Sequence, residues 1–310
     1  MSRAPKVAAP PAAALAPRVT PDAQPRAVLY ALLGQTAISA GTHLVAKQAT
    51  GLVDPLLLVT LRLLLASLAF GVVLCFVPPP RLPPRQTWAW LMGYGLLAGP
   101  VNQGLFLYGL ARSKATHGAL LYALTPVGVY LVALALKRER PSAHRLVGIA
   151  VAFVGVAALL LGRGLSEALG PLVGDVFILG AVASWVAWTI ESRPFAAAHG
   201  GLRTAAWAVL AGGVWVAPVA PFVVTVDALA AIPPVGWACL AYLVFLTSLL
   251  AYALWNYALA RTDASRVAVF TNLQPVATAL LAWALLGEKL VWEVGVGGAL
   301  VLLGVRLAQR

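Results

Sequence analysis

Polar and apolar positions along this chain fall in long blocks and do not alternate. Apolar stretches of about 20 residues recur, separated by short segments that hold most of the charges and the proline clusters. A helix needs about that length to cross a hydrocarbon core of ~30 Å, whereas a spanning strand would show about ten alternating residues. The pattern predicts an all-α membrane protein with ten spanning helices. They fall over 27–46, 55–77, 87–111, 115–136, 144–162, 172–190, 203–224, 235–259, 264–285 and 290–308. Residues 1–26 differ. Pro5, Pro10, Pro11, Pro17, Pro21 and Pro25 interrupt any helix or secretory apolar region there, so a disordered tail is expected.

The block pattern repeats. Shifted by 149 residues, the chain aligns with itself without a gap: 14 of the 32 positions in 108–139 are identical to their counterparts in 257–288. Tyr108/Tyr257, Arg112/Arg261, Pro126/Pro275 and Glu139/Glu288 all fall in one register. Apolar bias would match Ala, Leu and Val, but not these four together. The shift advances the chain by five spans, an odd number, so the repeats 27–162 and 172–308 are expected to face opposite ways. Inverted repeats of this kind mark secondary transporters, with substrate bound between the halves near the midplane.

Composition and charge sharpen the picture. Only 10% of the 310 residues are charged, too few to coat a water-soluble surface, and 61% are hydrophobic. The net charge of +12 suggests a nucleic-acid partner only until the positions are read. With the N-terminus inside, 16 of the 22 Lys and Arg fall in inside segments and five (Lys47, Arg112, Lys114, Arg163, Lys289) in outside loops; Arg62 lies within a span. The positive-inside rule therefore puts both termini in the cytoplasm, with the lipid bilayer as the obligatory surrounding and no nucleic acid as partner. Cys75 and Cys239 lie in apolar stretches of different halves and read as small hydrophobes.

Polar side chains within spans should face the bundle interior or a wet cavity. At helical spacing these are Gln35, Ser39 and His43; Ser184, Trp188 and Glu191, with Trp185 beside them; and Ser248, Tyr252, Trp255 and Asn256. Tyr94, Asn102 and Gln103, then Tyr122 and Thr125, then Asn272 and Gln274 complete the set. Neutral hydrogen-bonders interleaved with aromatics suit a solute with a polar head on an apolar or ring-bearing body. Each residue taken singly could equally bond or pack against a neighbouring helix. Pro100, Pro126 and Pro275 lie within spans and read either as hinges for rocking between two states or as static kinks. Arg62 could face a substrate carboxylate, or could snorkel or bond backbone carbonyls. The acidic residues fall in the tail, loops or helix ends, with Glu191 the nearest to a cavity position. Transport driven by the substrate's own gradient is therefore expected, without obligatory proton coupling.

Three stretches resemble the drug/metabolite transporter superfamily in its ten-helix EamA-type branch. They are THLVAKQA at 42–49 followed by Asp54-Pro55 and Arg62, ASWVAWTIESRP at 183–194, and NLQPVATALLAWALLGEKL at 272–290 followed by GGALVLLGV at 297–305. The resemblance implies two inverted five-helix halves around a central cavity, in a bacterial inner membrane. Within the superfamily the aromatic-rich set is most similar to exporters of amino acids, aromatic ones included. A nucleotide-sugar or drug-like solute is the alternative, although phosphates would favour several cavity Lys or Arg. An intramembrane enzyme ranks lower: HExxH, GxSxG and paired intramembrane aspartates are missing from the sequence, and His43, His117, His144 and His199 are scattered. No cofactor or metal is expected, and the chain should act as a monomer or homodimer on a small-molecule substrate.

Overall fold

The computed structural model describes residues 25–77, 85–136, 142–161, 169–262, 264–287 and 292–308. The expected disordered tail lies almost wholly outside the described residues. The described residues are helical, without a strand. The first half runs α1 (Pro25–Thr50), α2 (Pro55–Cys75), α3 (Arg85–Leu96), a π-helical stretch Leu97–Val101, α4 (Asn102–Arg112), α5 (Ala115–Tyr122), α6 (Thr125–Ala135) and α7 (Ala143–Leu161). The second runs α8 (Leu169–His199), α9 (Gly201–Val216), two short helices α10 (Ala220–Val223) and α11 (Val226–Ala230), and α12 (Pro234–Ala241). A second π-helical stretch, Tyr242–Ala251, leads into α13 (Tyr252–Leu259), α14 (Ala264–Val269), a 3₁₀ turn Phe270–Leu273, α15 (Gln274–Leu286) and α16 (Trp292–Ala308).

Local chemistry accounts for the boundaries. Asp54 caps α2, its carboxylate accepting from the Leu56 and Leu57 amides at 2.8 and 3.1 Å, and Pro55 takes the first turn, where no amide donor is required. Gly287 ends α15 in the left-handed region at φ +65°. Gly200, at φ +86°, lets α8 turn directly into α9. Arginine closes α4 and α13 in the same way: Arg112 and Arg261 each donate to the carbonyl of the tyrosine four residues earlier, at 3.2 and 3.1 Å. Their guanidinium groups stand 5.8 and 3.6 Å from the centroids of the Tyr108 and Tyr257 rings.

The 149-residue offset recurs in the elements themselves. The first residues of α3, α5, α6 and α7 match those of α12, α14, α15 and α16, and the two π-helical stretches fall on equivalent positions. Pro100 sits inside the first stretch and removes an amide donor from the ladder. The second has no proline, so proline alone does not produce the π geometry.

Two expectations change. The span 115–136 breaks at Ala123–Leu124, and 264–285 breaks at the 3₁₀ turn, so Pro126 and Pro275 occupy the first turns of α6 and α15 and not helix interiors. A first-turn proline has the fixed φ a helix needs and forfeits no intrahelical bond there, which is why it restarts a helix after a break. The span 172–190 extends to 31 residues as α8.

Glycines set the closest packing. A Cβ on Gly155 of α7 would stand 2.7 Å from the Val301 amide nitrogen and 2.8 Å from the Gly297 carbonyl oxygen. One on Gly304 of α16 would meet the Ala152 backbone and the Gly148 carbonyl. As α7 runs from 148 to 155, its neighbour runs from 304 to 297, so these helices cross antiparallel. The same holds for α2 and α9: Ser67 donates to the Val209 carbonyl at 2.9 Å, and Leu63 lies against Gly212. Small residues bring helix backbones this close inside membranes. Among the described residues five helical stretches are long and apolar enough to cross a membrane: 26–50, 55–75, 115–132, 172–199 and 234–259. Gly201–Val216 and Gly295–Gly304 are shorter apolar helices. Phe76, Phe222 and Leu285 point outward and are 85, 84 and 71% exposed, as suits lipid and not water.

Candidate functional site

A cavity lies among α1, α2, α4, α5, α8, the second π-helical stretch, α13, the 3₁₀ turn and α15. α1 contributes Gln35, Ser39, Thr42 and His43 from one face at helical spacing. Gln35 donates its Nε2 to Ser39 Oγ at 2.8 Å, which leaves its buried Oε1 without a partner. The Thr42 hydroxyl meets that of Thr247 at 2.8 Å, tying α1 to the second π-helical stretch. His43 forms wall: edge contacts with Phe106 and Tyr122 at 5.4 and 5.5 Å hold its ring, and its Nδ1 faces Gly118.

Across the cavity, Asn102 and Gln103 open α4. Asn102 Nδ2 donates to the Ala181 carbonyl at 2.7 Å, fixing α4 to α8, and reaches the Tyr122 hydroxyl at 3.3 Å. Gln103 Nε2 donates to Asn102 Oδ1 at 3.1 Å and to the Tyr252 hydroxyl at 3.2 Å, while Tyr252 donates to the Ala98 carbonyl at 3.0 Å. The Ala98 carbonyl belongs to the first π-helical stretch, so the irregular ladder supplies an acceptor to this network. The Gln103 Oε1 is buried without a partner. Trp185 completes the aromatic wall, its ring 5.2 Å from that of Tyr252 and tilted 64° to it.

Arg62, 1% exposed, lines the same cavity from α2. Its Nε donates to Ser248 Oγ at 2.9 Å and its Nη1 bonds nothing. Two of the readings open for it in the sequence therefore fail. A snorkelling arginine would reach the interface, and a carbonyl-bound one would show a carbonyl partner.

Three pairs at the 149-residue offset line the cavity together: Asn102 with Ala251, Gln103 with Tyr252 and Tyr122 with Thr271. Of the residues expected from sequence, Gln35, Ser39, His43, Asn102, Gln103, Tyr122, Trp185, Tyr252 and Gln274 meet at this cavity. Five do not. Trp188 and Trp255 are fully buried in the core, each one turn beyond the cavity-facing Trp185 or Tyr252, where the helices close together. Asn256 spends its Nδ2 on the Tyr252 carbonyl at 2.9 Å, within its own helix. Tyr94 packs its ring 4.6 Å from Trp90. Asn272, half-buried in the 3₁₀ turn, points elsewhere because its neighbour Thr271 faces in. Thr42, Phe106, Thr247, Ala251 and Thr271 line the cavity without having been singled out.

One further buried group corrects the reading of the acids. Asp175, 1% exposed, lies in the first part of α8 and accepts a hydrogen bond from Ser113; its other oxygen stands 3.3 Å from His117 Nδ1. The pair lies between α8 and the α4–α5 junction, outside the cavity lining. Glu191 is half-buried in α8 and does not line the cavity either.

The fold is shared with a protein of known crystal structure, at a TM-score of 0.64 and 21% identity over 90% of this chain and 95% of that one. An uncharacterized transporter of Bacillus subtilis, YyaM, is 27% identical over 282 residues, 90% of this chain and 92% of its own. A "probable terminal-alkyne amino-acid exporter" of Streptantibioticus cattleyicolor is 31% identical over 67% of this chain and 68% of its own. A "probable amino-acid metabolite efflux pump" of Salmonella typhimurium is 29% identical over 81 and 84%. The profile of the EamA-like transporter family matches twice, over residues 26–161 and 172–309, once on each copy of the internal repeat. The chain is membrane-embedded and belongs to the EamA-like transporter family.

Proposed function

We propose that this chain is a secondary transporter of small neutral or zwitterionic metabolites, amino acids and aromatic ones among them, working by alternating access at the cavity. The observation that carries the reading is the cavity's position: equivalent residues of the two repeats line it together, as at a site between two halves that rock. The lining suits the solute. Amide and hydroxyl groups from Gln35, Asn102, Gln103 and Gln274 face rings from Phe106, Tyr122, Trp185 and Tyr252. Relatives named for amino-acid export support the substrate class.

The reading includes ten spans in two inverted five-helix halves, with both termini cytoplasmic in a bacterial inner membrane. The antiparallel crossings of equivalent helices, α2 with α9 and α7 with α16, support the inversion. The 16-to-5 distribution of basic residues supports the orientation. Rocking about these two crossings would expose the cavity to each side in turn, driven by the substrate's gradient.

The test is counterflow in proteoliposomes, with labelled phenylalanine, threonine and a nucleotide sugar compared. Exchange of the amino acids, lost in Trp185→Ala, is the expected result. Silence with every amino acid beside brisk exchange of the nucleotide sugar would overturn the substrate class.

A further inference from the structure

We propose that Arg62 is the carboxylate anchor of the cavity, so that a transported solute must carry a free carboxylate; this rests on the transport reading above and names its recognition chemistry. Arg62 stands eight residues into α2, flanked by the buried Leu61 and Leu63. A guanidinium withdrawn from water this completely is unfavourable unless something opposes its charge. Its protein partner is a neutral hydroxyl, Ser248 Oγ, and among the described residues no carboxylate pairs with it. The planar fork has further donors beyond Nε, and the group borders open space. A carboxylate is the anion that such a fork matches in geometry and charge.

Ser248 acts as the positioning residue. It lies in the second π-helical stretch, and its bond to Nε fixes one side of the fork while Nη1 bonds nothing. The cavity also holds acceptors suited to the other end of a zwitterion. Gln35 Oε1 and Gln103 Oε1 are buried without partners, while both amide nitrogens are already committed. An ammonium group supplies the donors they lack, and the ring of Trp185 is left for the solute's apolar body. One charged clamp among neutral carbonyls favours a carboxylate over a phosphate, which would call for several cations.

The experiment is competition against labelled phenylalanine counterflow by four unlabelled probes: phenylalanine, 3-phenylpropionate, phenylalaninamide and phenylethylamine. Phenylalanine and 3-phenylpropionate should compete. The two probes without a carboxylate should be weaker than phenylalanine by about tenfold or more, the size of one charge-assisted hydrogen bond. Arg62→Gln should erase that discrimination, Arg62→Lys should restore part of it, and Ser248→Ala should reduce it. A merely structural role would lower the uptake of every probe together and leave the ratio unchanged. Equal competition by phenylalaninamide and phenylalanine in the native protein overturns the anchor and leaves transport standing. A ratio unchanged in a folded Arg62→Gln protein, checked by gel filtration, does the same. Absence of exchange with any probe overturns both readings.

Discussion

Gln103 Nε2 donates to the Tyr252 hydroxyl at 3.2 Å, and these two residues hold the same place in the two copies of the repeat. A Cβ on Gly212 would stand 3.6 Å from the Leu63 side chain across the same 149-residue offset, and Cβ atoms on Gly155 and Gly304 would each meet the glycine equivalent to the other's partner. Contacts between equivalent positions are what the proposed inverted relation of the halves would produce, because only points close to a two-fold axis meet their own counterparts. The cavity lies where this happens, so its two walls share positions but not side chains. That permits a solute with unlike ends.

The Gln103–Tyr252 bond should be measurable. Tyr252→Phe removes a hydroxyl that accepts from Gln103 and donates to the Ala98 carbonyl. A loss of about 1–2 kcal/mol is expected in thermal unfolding in detergent. Gln103→Leu should cost a similar amount, and the double variant less than the two together, because both remove one shared bond. Full additivity would show that the two side chains act independently.

At the α7–α16 crossing, Gly155→Ala and Gly304→Ala should each destabilise by about 1–3 kcal/mol, since the added methyl meets backbone and not a flexible side chain. Gly104→Ala is the control. Nothing lies within 4 Å of its Cβ position, so the better helix propensity of alanine should leave stability unchanged or slightly raised. A Gly155→Ala protein as stable as the Gly104→Ala control would refute the tight antiparallel crossing.

What the sequence makes legible here follows from its repeat. The block pattern marks the helices, and the offset that aligns Pro126 with Pro275 also aligns the starts of α6 and α15. The site is only partly legible, because helical spacing assigns a face without saying what that face meets. Trp185 and Trp188 share one side of α8, yet the first borders the cavity and the second is sealed by neighbouring helices. The π-helical stretches add to the difficulty, since an extra residue per turn rotates the faces on either side of Ser248. Phe106 and Ala251 carry no polar signal at all. Ala251 and Thr271 were nonetheless within reach, as the counterparts of Asn102 and Tyr122 at the repeat offset.

Pro126 and Pro275 give a test of motion. Each begins a helix after a break, and the Tyr122 carbonyl at the first break accepts from the Thr125 hydroxyl at 2.6 Å. Replacement by alanine should change stability by about 1 kcal/mol at most, because no hydrogen bond depends on a first-turn proline. It should allow the helix to run through the break. The expected outcome for Pro126→Ala with Pro275→Ala is a lowered maximal counterflow rate with an unchanged KM. Normal rates in the double variant would leave these breaks as static kinks.

The Asp175–His117 pair tests the energy source. Both side chains are buried, at 1 and 3% exposure, and neither borders the cavity. Asp175→Asn keeps an oxygen to accept from Ser113 while removing the charge that faces His117. A loss of about 1–3 kcal/mol is expected, and a larger one, about 3–5 kcal/mol, for Asp175→Ala, which removes both contacts. If transport runs on the substrate's gradient, counterflow per folded molecule should survive Asp175→Asn. An imposed pH difference alone should then accumulate no substrate in either protein. Accumulation driven by pH in the native protein and abolished by Asp175→Asn, with counterflow intact, would make this pair a proton carrier and replace gradient-driven exchange with proton coupling.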